Sequence, residues 1–266
     1  MRILVTNDDG IHAQGLWALA EGLNKRNEVI VVAPDREQSG VGTSISLHHP
    51  VRVNPMLPLV EGIKAYAVEG TPGDAVIVAL GSLVEGKVDL LVSGINSGSN
   101  LGYDVFVSGT VGAAFQGYFR GIPSMAVSVA ELKDIHYEPA IRLACFLSEK
   151  IGEGVLPQDL LLNVNLPNLP WEKIKGIEAT HLGRRSYEEI VKEDEDSRRG
   201  YYWLSRGRKV WQMDDGSDMW ALKQGKISIT PLHGDLTGHS TLTLLKRMGS
   251  ALFDDLDLGK SFKASQ

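Results

Sequence analysis

Asp8 and Asp9 stand side by side in Asn7-Asp8-Asp9-Gly10, directly after the apolar run Arg2 to Thr6. Like charges this close repel unless something positive lies beside them, and on a tight turn they make a foothold for a divalent cation. Asp-Gly is also a common turn dipeptide, so the pair taken alone fits a solvated turn as well. Three other stretches share a supply of oxygen donors and small side chains. Pro34 to Ser44 is a Gly- and Ser-rich loop too elaborate for a plain connection. Gly94 to Gly102, reading Gly-Ile-Asn-Ser-Gly-Ser-Asn-Leu-Gly, is full of small residues and amide oxygens. Ser108-Gly109-Thr110 opens a helix-patterned stretch, where free backbone N–H groups and the helix dipole favour an anion such as phosphate. The first three stretches hold carboxylate, hydroxyl and amide oxygens and no Cys or His, a set that selects magnesium, manganese or calcium over zinc. Such an ion beside a phosphate-binding helix start polarises phosphoryl oxygens, which is hydrolase chemistry.

These residues need elements to hold them at one place. Arg2 to Thr6, Glu28 to Ala33, Val88 to Ser93, Ser124 to Val129 and Leu161 to Val164 read as strands, most of them continuous apolar runs. That pattern belongs to strands covered on both faces, and so to a parallel sheet. Gly15 to Arg26, Pro72 to Leu83, Thr110 to Arg120 and Tyr137 to Ile151 are helix-patterned, and Thr71-Pro72 is a capping hydroxyl followed by a helix-starting proline. Strand and helix in alternation give a doubly wound α/β fold, with ligands expected beyond the carboxyl ends of the strands. The four oxygen-rich stretches all follow or lie at that edge.

After about Gly176 the pattern changes. Tyr187 to Gly200 is thick with charge, and Tyr201 to Ser205 and Lys226 to Thr230 read as strands flanking a turn-rich middle, a second unit of hairpin character. Trp203, Trp211 and Trp220 fall in it, more aromatic surface than so short a region buries alone, which points to a subunit interface. The last dozen residues are expected to fray. Gly81 to Val88 resembles an ATPase phosphate loop, but Val88 replaces the required hydroxyl and the segment precedes a strand. No G-x-G-x-x-G follows the first strand, which argues against a dinucleotide. His48 and His49 could reach a ligand from the second loop, and Cys145 sits among apolar neighbours as a small core side chain.

Composition sets the outer limits. The chain has 266 residues, 43% hydrophobic and 23% charged, with a net charge of −6 from 27 basic and 33 acidic side chains. That describes a globular chain with material for a sizeable core and excludes a mostly disordered one. The acidic balance argues against binding nucleic-acid polymers, whose nonspecific affinity comes from clustered Lys and Arg. A lone cysteine allows no intrachain disulfide and fits a reducing compartment. With no leader-like or membrane-length apolar run, a cytoplasmic protein is expected.

Five blocks resemble, in order, the stationary-phase survival protein SurE family. They are Asn7-Asp8-Asp9-Gly10, Pro34 to Gly40, Glu69-Gly70-Thr71-Pro72-Gly73-Asp74, Ser93 to Gly98 and Ser108 to Ala114, with Ser228-Ile229-Thr230-Pro231-Leu232, Asp235 and Thr237 beyond. The resemblance implies a metal-dependent 5′- and 3′-nucleotidase, possessing in some members activity on short polyphosphate. It implies one divalent cation per subunit, magnesium or manganese, held by Asp8, Asp9, Ser39 and Asn96. Asn96, Ser108, Gly109 and Thr110 then face the phosphate, and Asp8 or Asp9 orients or deprotonates the attacking water. The implied fold is a Rossmann-like three-layer catalytic core over residues 1–180. A hairpin-rich extension over 181–266 would exchange between subunits to make a homodimer or homotetramer. Val107 stands where many relatives have Tyr, which bears on the pocket wall. Asp235 and His239 are four apart, and a swapped arm could bring them to a site, although turn and helix-start roles explain them slightly better. A nucleotide-binding regulator without turnover would use the same oxygens.

Overall fold

The computed structural model describes residues 1–193, 202–212 and 214–257. Strands β1 (Arg2–Thr6), β2 (Glu28–Pro34), β3 (Val53–Met56), β4 (Lys64–Val68), β5 (Leu90–Ser97), β6 (Ser124–Val129), β7 (Leu161–Leu166), β8 (Ile177–Ala179) and β11 (Ile227–Pro231) form one sheet. Their order is β3-β4-β2-β1-β5-β6-β7-β11-β8. The six strands from β4 to β7 run parallel, whereas β3 is antiparallel to β4, and β11 is antiparallel to β7 and parallel to β8. The fold is therefore α/β with a mixed, mostly parallel sheet, where the sequence pattern indicated an all-parallel one. The antiparallel strands are short and lie outside the repeating strand–helix units, so the sequence pattern carried no mark of their direction.

Helices α1 (Gln14–Asn24) and α4 (Glu138–Gly152) cover one face, and α2 (Pro72–Val78) and α3 (Gly109–Tyr118) cover the other. The first face buries Leu16, Leu19, Leu23, Leu143 and Ile151 over Ile3, Val5, Val92 and Val127. The second buries Val76, Val111 and Ala113 over Leu4, Val32 and Leu91. Both sides of β1 and β6 are thus sealed, and their continuous apolar runs follow from it. Each fully buried Leu or Ile contributes about 1.5–3 kcal/mol. Cys145 is half-buried on α4, with its thiol pushed up by burial against the opposing pull of Lys25 and Arg26.

Helix α2 starts in a capping box. The Thr71 hydroxyl accepts from Asp74 N at 3.1 Å, and the Asp74 carboxylate accepts from Thr71 N at 2.8 Å, with Pro72 in the first turn. Among the described residues, no helix is long and apolar enough to cross a membrane.

The C-terminal third departs from expectation. The hairpin is β9 (Arg184–Glu193) with β10 (Tyr202–Gln212), antiparallel, with a register shift between Arg206 and Lys209. The stretch read as a second hairpin strand, Lys226 to Thr230, instead enters the main sheet as β11, next to β7. A short helix, α5 (Asp218–Lys223), leads into it. The chain divides into compact units at Met1–Leu232 and His233–Gln266, so α5 and β11 belong to the first unit and not to an appendage beginning near residue 181. The second unit contains α6 (His239–Asp257). Trp220 lies half-buried on α5 with Lys226 Nζ 5.2 Å from its ring centroid. The side chains of Trp203 and Trp211 fall outside the described residues, as do 258–266 of the dozen residues expected to fray, whereas 255–257 end α6.

Candidate active site

The chain lays β1, β2 and β4 outward in one direction, then returns to the middle and lays β5, β6 and β7 in the other. Between β1 and β5 the loops beyond the carboxyl ends part in opposite directions, and that crevice is where open α/β sheets bind ligands. Asp8 and Asp9 leave β1 on one side of it, and Asn96 sits near the end of β5 on the other. The order of strands alone therefore brings together residues far apart in sequence.

Asp8 is 4% exposed, and its Oδ1 accepts from Thr110 Oγ1 at 2.6 Å. Its carbonyl oxygen accepts from Gln38 N at 2.7 Å, which ties the loop after β2 to the turn after β1. Gly109 opens α3 hard against Asp8: a Cβ there would lie 2.8 Å from Asp8 Cβ and 3.0 Å from Oδ2, so any side chain would push the helix start off the carboxylate. Ser108 is the N-cap of α3, its Oγ accepting from Val111 N at 3.2 Å. The Ser108 hydroxyl proton stays available to a ligand, whereas the Thr110 hydroxyl proton is already given to Asp8.

Asp9 is half-buried, and its Oδ2 accepts from Ser97 N at 3.2 Å. With Glu37, Ser39, Ser97 and Tyr137 it lines a cleft of about 620 Å³. The Ser39 hydroxyl donates to Glu37 Oε1 at 2.8 Å. Asn96 is 8% exposed and donates from Nδ2 to Gly98 O at 2.7 Å. Among the described residues no hydrogen bond joins Ser39 or Asn96 to either carboxylate. His48 and His49 are exposed on their loop.

The Ser39 loop is pinned at its far end. Asp74 accepts from Ser46 N and Ser46 Oγ, both at 2.8 Å, and the Thr71 hydroxyl donates to Ser44 O at 2.8 Å. Gly42 N donates to Val107 O at 3.0 Å, and Gly112 approaches so closely that its Cβ would stand 2.1 Å from Gly42 O. The Gly-Thr-Pro-Gly-Asp block is thus a buttress for the loop.

Electrostatics separates these acids. Burial pushes the Asp8 carboxyl above its ordinary value, against the lowering bond from Thr110, and Glu37 adds to the rise. Burial, then the charges of Asp8 and Glu37, push Asp9 up to about 6 despite the Ser97 N–H. Among the described residues no Lys, Arg or His pairs with either. The negative charge of Glu37 raises both carboxyls and that of Asp8 raises Asp9, a field that would favour a cation. The donor set fits one: Asp8 keeps Oδ2, Asp9 keeps Oδ1, Asn96 keeps its carbonyl oxygen, and Ser39 keeps lone pairs after donating its proton. All are hard oxygen donors of the kind magnesium and manganese take. Among the described residues no three His, Cys, Asp or Glu side chains form a metal-holding group.

Sequence reading missed several contributors. Glu37 lay in view beside Ser39, and its charge could have been weighed; Tyr137 reads as an ordinary helix-start residue. Asp235 and His239 bond to each other at 2.9 Å, with Thr237 N donating to Asp235 at 2.8 Å just before α6, the turn and helix-start geometry. The Asp235 carboxyl is held below its ordinary range by Thr237 and His239.

Comparison with known proteins finds relatives within one family. A family model described as survival protein SurE matches residues 3–189. A 5′-nucleotidase SurE from Dehalococcoides mccartyi is 46% identical over 92% of this chain and 93% of its own length. One from Geobacter metallireducens is 45% identical over 92% and 96%. The crystal structure of the SurE protein from Aquifex aeolicus superposes with a TM-score of 0.79 at 38% identity, covering 94% of this chain and all of that one.

Proposed function

The chain belongs to the SurE family, and from that premise we propose that it is a divalent-metal-dependent phosphomonoesterase. It would convert nucleoside 5′-monophosphates to nucleoside and phosphate. The single observation that carries the reading is the bond from Thr110 to Asp8, with Gly109 pressed on the same carboxylate. It joins the cation foothold to the anion-binding helix start and so defines one place for a phosphoryl group. The 5′-nucleotidase names of the relatives support the substrate class.

In this reading Asp8, Asp9, Ser39 and Asn96 hold magnesium or manganese, which when bound neutralises phosphoryl oxygens and stabilises the charge that builds on them. The Ser108 hydroxyl and the Gly109 N–H at the start of α3 donate to the remaining oxygens. Thr110 holds Asp8 in place and does not donate to substrate. Water attacks phosphorus in line, the P–O bond to the nucleoside breaks, and the nucleoside oxygen leaves with the proton that the water has given up to Asp9. Asp9, open to the cleft where Asp8 is not, orients that water and accepts its proton. Nucleoside 3′-monophosphates and the ends of short polyphosphates present the same terminal group and are further substrates. Assembly into dimers or tetramers through the C-terminal segment is supported by α6, whose Leu242, Leu245 and Met248 fall at helical spacing in a unit with no second described element to cover them.

The test is phosphate release from a panel of nucleoside monophosphates, first with EDTA and then with magnesium or manganese restored, beside Asp8→Asn. Metal-dependent release that the variant lacks supports the reading. Full activity in Asp8→Asn, or no release with any nucleotide and metal, overturns it.

A further inference from the structure

The two halves of the candidate site hang on one loop. Asn96 lies at its beginning and the Ser108-Gly109-Thr110 helix start at its end, so whatever fixes the middle of this loop fixes the distance between them. The middle is gripped at Asn100 and Gly102. Asn100 is 9% exposed; its backbone N–H donates to Asn165 Oδ1 at 2.8 Å, and its carbonyl oxygen accepts from Asn163 Nδ2 at 2.8 Å and Asn165 Nδ2 at 3.1 Å. Its own amide donates to Ser128 Oγ at 3.0 Å. Two residues on, Gly102 N donates to Asp218 Oδ2 at 2.7 Å, while Asp218 Oδ1 accepts from Gly183 N at 3.0 Å and Met219 N at 2.8 Å. Asn163, Asn165, Ser128 and Asp218 are all fully buried.

This is an expensive way to hold a loop. Amides in the middle of a sealed strand cost desolvation that Leu or Val would not, and they return it only when their hydrogen bonds are met. What directional bonds give, and apolar packing does not, is a fixed position along the sheet. The register shift between Gly94 and Asn96 sets Asn96 opposite Ser128, and Ser128 lies opposite Asn165. The candidate metal ligand and two of the residues that grip its loop therefore occupy one row across β5, β6 and β7. Asp218 enters from α5, beyond residue 189 where the family match ends.

We propose that Asp218, Asn165 and Ser128 are positioning residues that set the separation between the Asn96 side of the site and the phosphate-binding start of α3. They touch neither ion nor substrate. The proposal rests on the phosphomonoesterase reading for its consequence in turnover, but its main readout does not need turnover. Misplacement by about 1 Å costs on the order of 10²-fold in a reaction that depends on alignment. Loosening one anchor should therefore weaken phosphate binding while leaving the cation on Asp8 and Asp9.

The experiment uses the full chain with Asp218→Asn, and Ser128→Ala as a milder second variant should the first fail to fold. Manganese affinity is measured by calorimetry, then orthophosphate affinity with manganese saturating, then kcat and KM on a nucleoside 5′-monophosphate. Asp218→Asn should keep manganese affinity within about 3-fold while losing about 10-fold in phosphate affinity and a similar factor in kcat; Ser128→Ala should show the same split at roughly 2- to 5-fold. A residue that only stabilises the fold would lower Tm and move neither affinity. The proposal is overturned if the folded variants bind phosphate like the wild type, or lose manganese and phosphate affinity equally. A wild type that binds both ions yet releases no phosphate from nucleotides sinks the enzymatic reading alone, because the comparison of phosphate affinities still decides the positioning role.

Discussion

Asp74 and the Asp8-Asp9 pair are buried acids at the same edge of the same sheet, and they are treated in opposite ways. Burial works to raise the Asp74 carboxyl too, but bonds from Ser46 and Thr71, through backbone and hydroxyl alike, outweigh it and hold the group below its ordinary value. Asp8 accepts from the Thr110 hydroxyl and from the backbone N–H groups of Asp8 and Thr110, Asp9 from the Ser97 N–H, and in both the cost of burial outweighs these bonds. A carboxylate whose lone pairs are filled by its own chain is a structural part. One whose own bonds do not offset its burial is a candidate for holding something that arrives from outside.

Replacing the two kinds of acid should therefore break different properties. Asp8→Asn is expected to lower phosphate release on the order of 10²-fold or more, equivalent to about 3 kcal/mol, with Tm little changed. Asp74→Ala should do the reverse, costing about 2–4 kcal/mol in denaturant unfolding through the lost cap and the stranded donors of Ser46 and Thr71. Its effect on rate should be confined to a higher KM as the Ser39 loop loosens. If Asp8→Asn unfolds and Asp74→Ala merely slows turnover, the distinction drawn here is wrong.

Gly109→Ala tests the contact that joins the helix start to Asp8. The added methyl has nowhere to go, and about a 10-fold loss of kcat/KM is expected with the helical circular dichroism unchanged.

The smallest effect is the most diagnostic. In cation-free protein Asp9 titrates near 6 against an ordinary 3.8, so the folded state holds a proton that the unfolded state has released. Its contribution to stability is complete below the ordinary value and is lost as pH rises through about 6, a matter of about 1–3 kcal/mol. Asp74, held low, contributes above its ordinary value and loses that contribution as pH falls below it. Thermal melts in EDTA should thus show Asp9→Asn flattening the decline between about pH 5 and pH 7, and the stabilisation by added magnesium should grow over that interval. A magnesium effect independent of pH would separate the cation from these carboxylates.

How much of this could be read beforehand depends on the range of the interaction. The spans of β1 and β6 and the start of α2 are local matters, decided by apolar runs and by a Thr-Pro step, and they were legible. So was the gathering of oxygen donors at one edge, because alternating strands and helices dictate where loops must fall. Asp218 gave no such signal: it meets Gly102 across 116 residues, and nothing in its own neighbourhood marks it. Asn163 was submerged in the run read from Leu161 to Val164 and Asn165 lay just past its end, and neither was marked because their partner is the backbone of a distant loop. The reversed direction of β11 was equally hidden, because five residues reading Ile-Ser-Ile-Thr-Pro carry no mark of which neighbour they will choose.

That reversed strand has a consequence for how the molecule is made. In the sheet β8 touches only β11, and β11 alone separates it from β7. While the chain emerges from the ribosome, β1 through β7 can pair as they appear, but β7 must wait with a bare edge and β8 must wait with no neighbour at all. Both are completed only when Ile227–Pro231 slides in between. Until then the nascent protein exposes an open parallel edge that invites pairing with other chains. Among the described strands, the last to be synthesised is the one that fills the gap between β7 and β8.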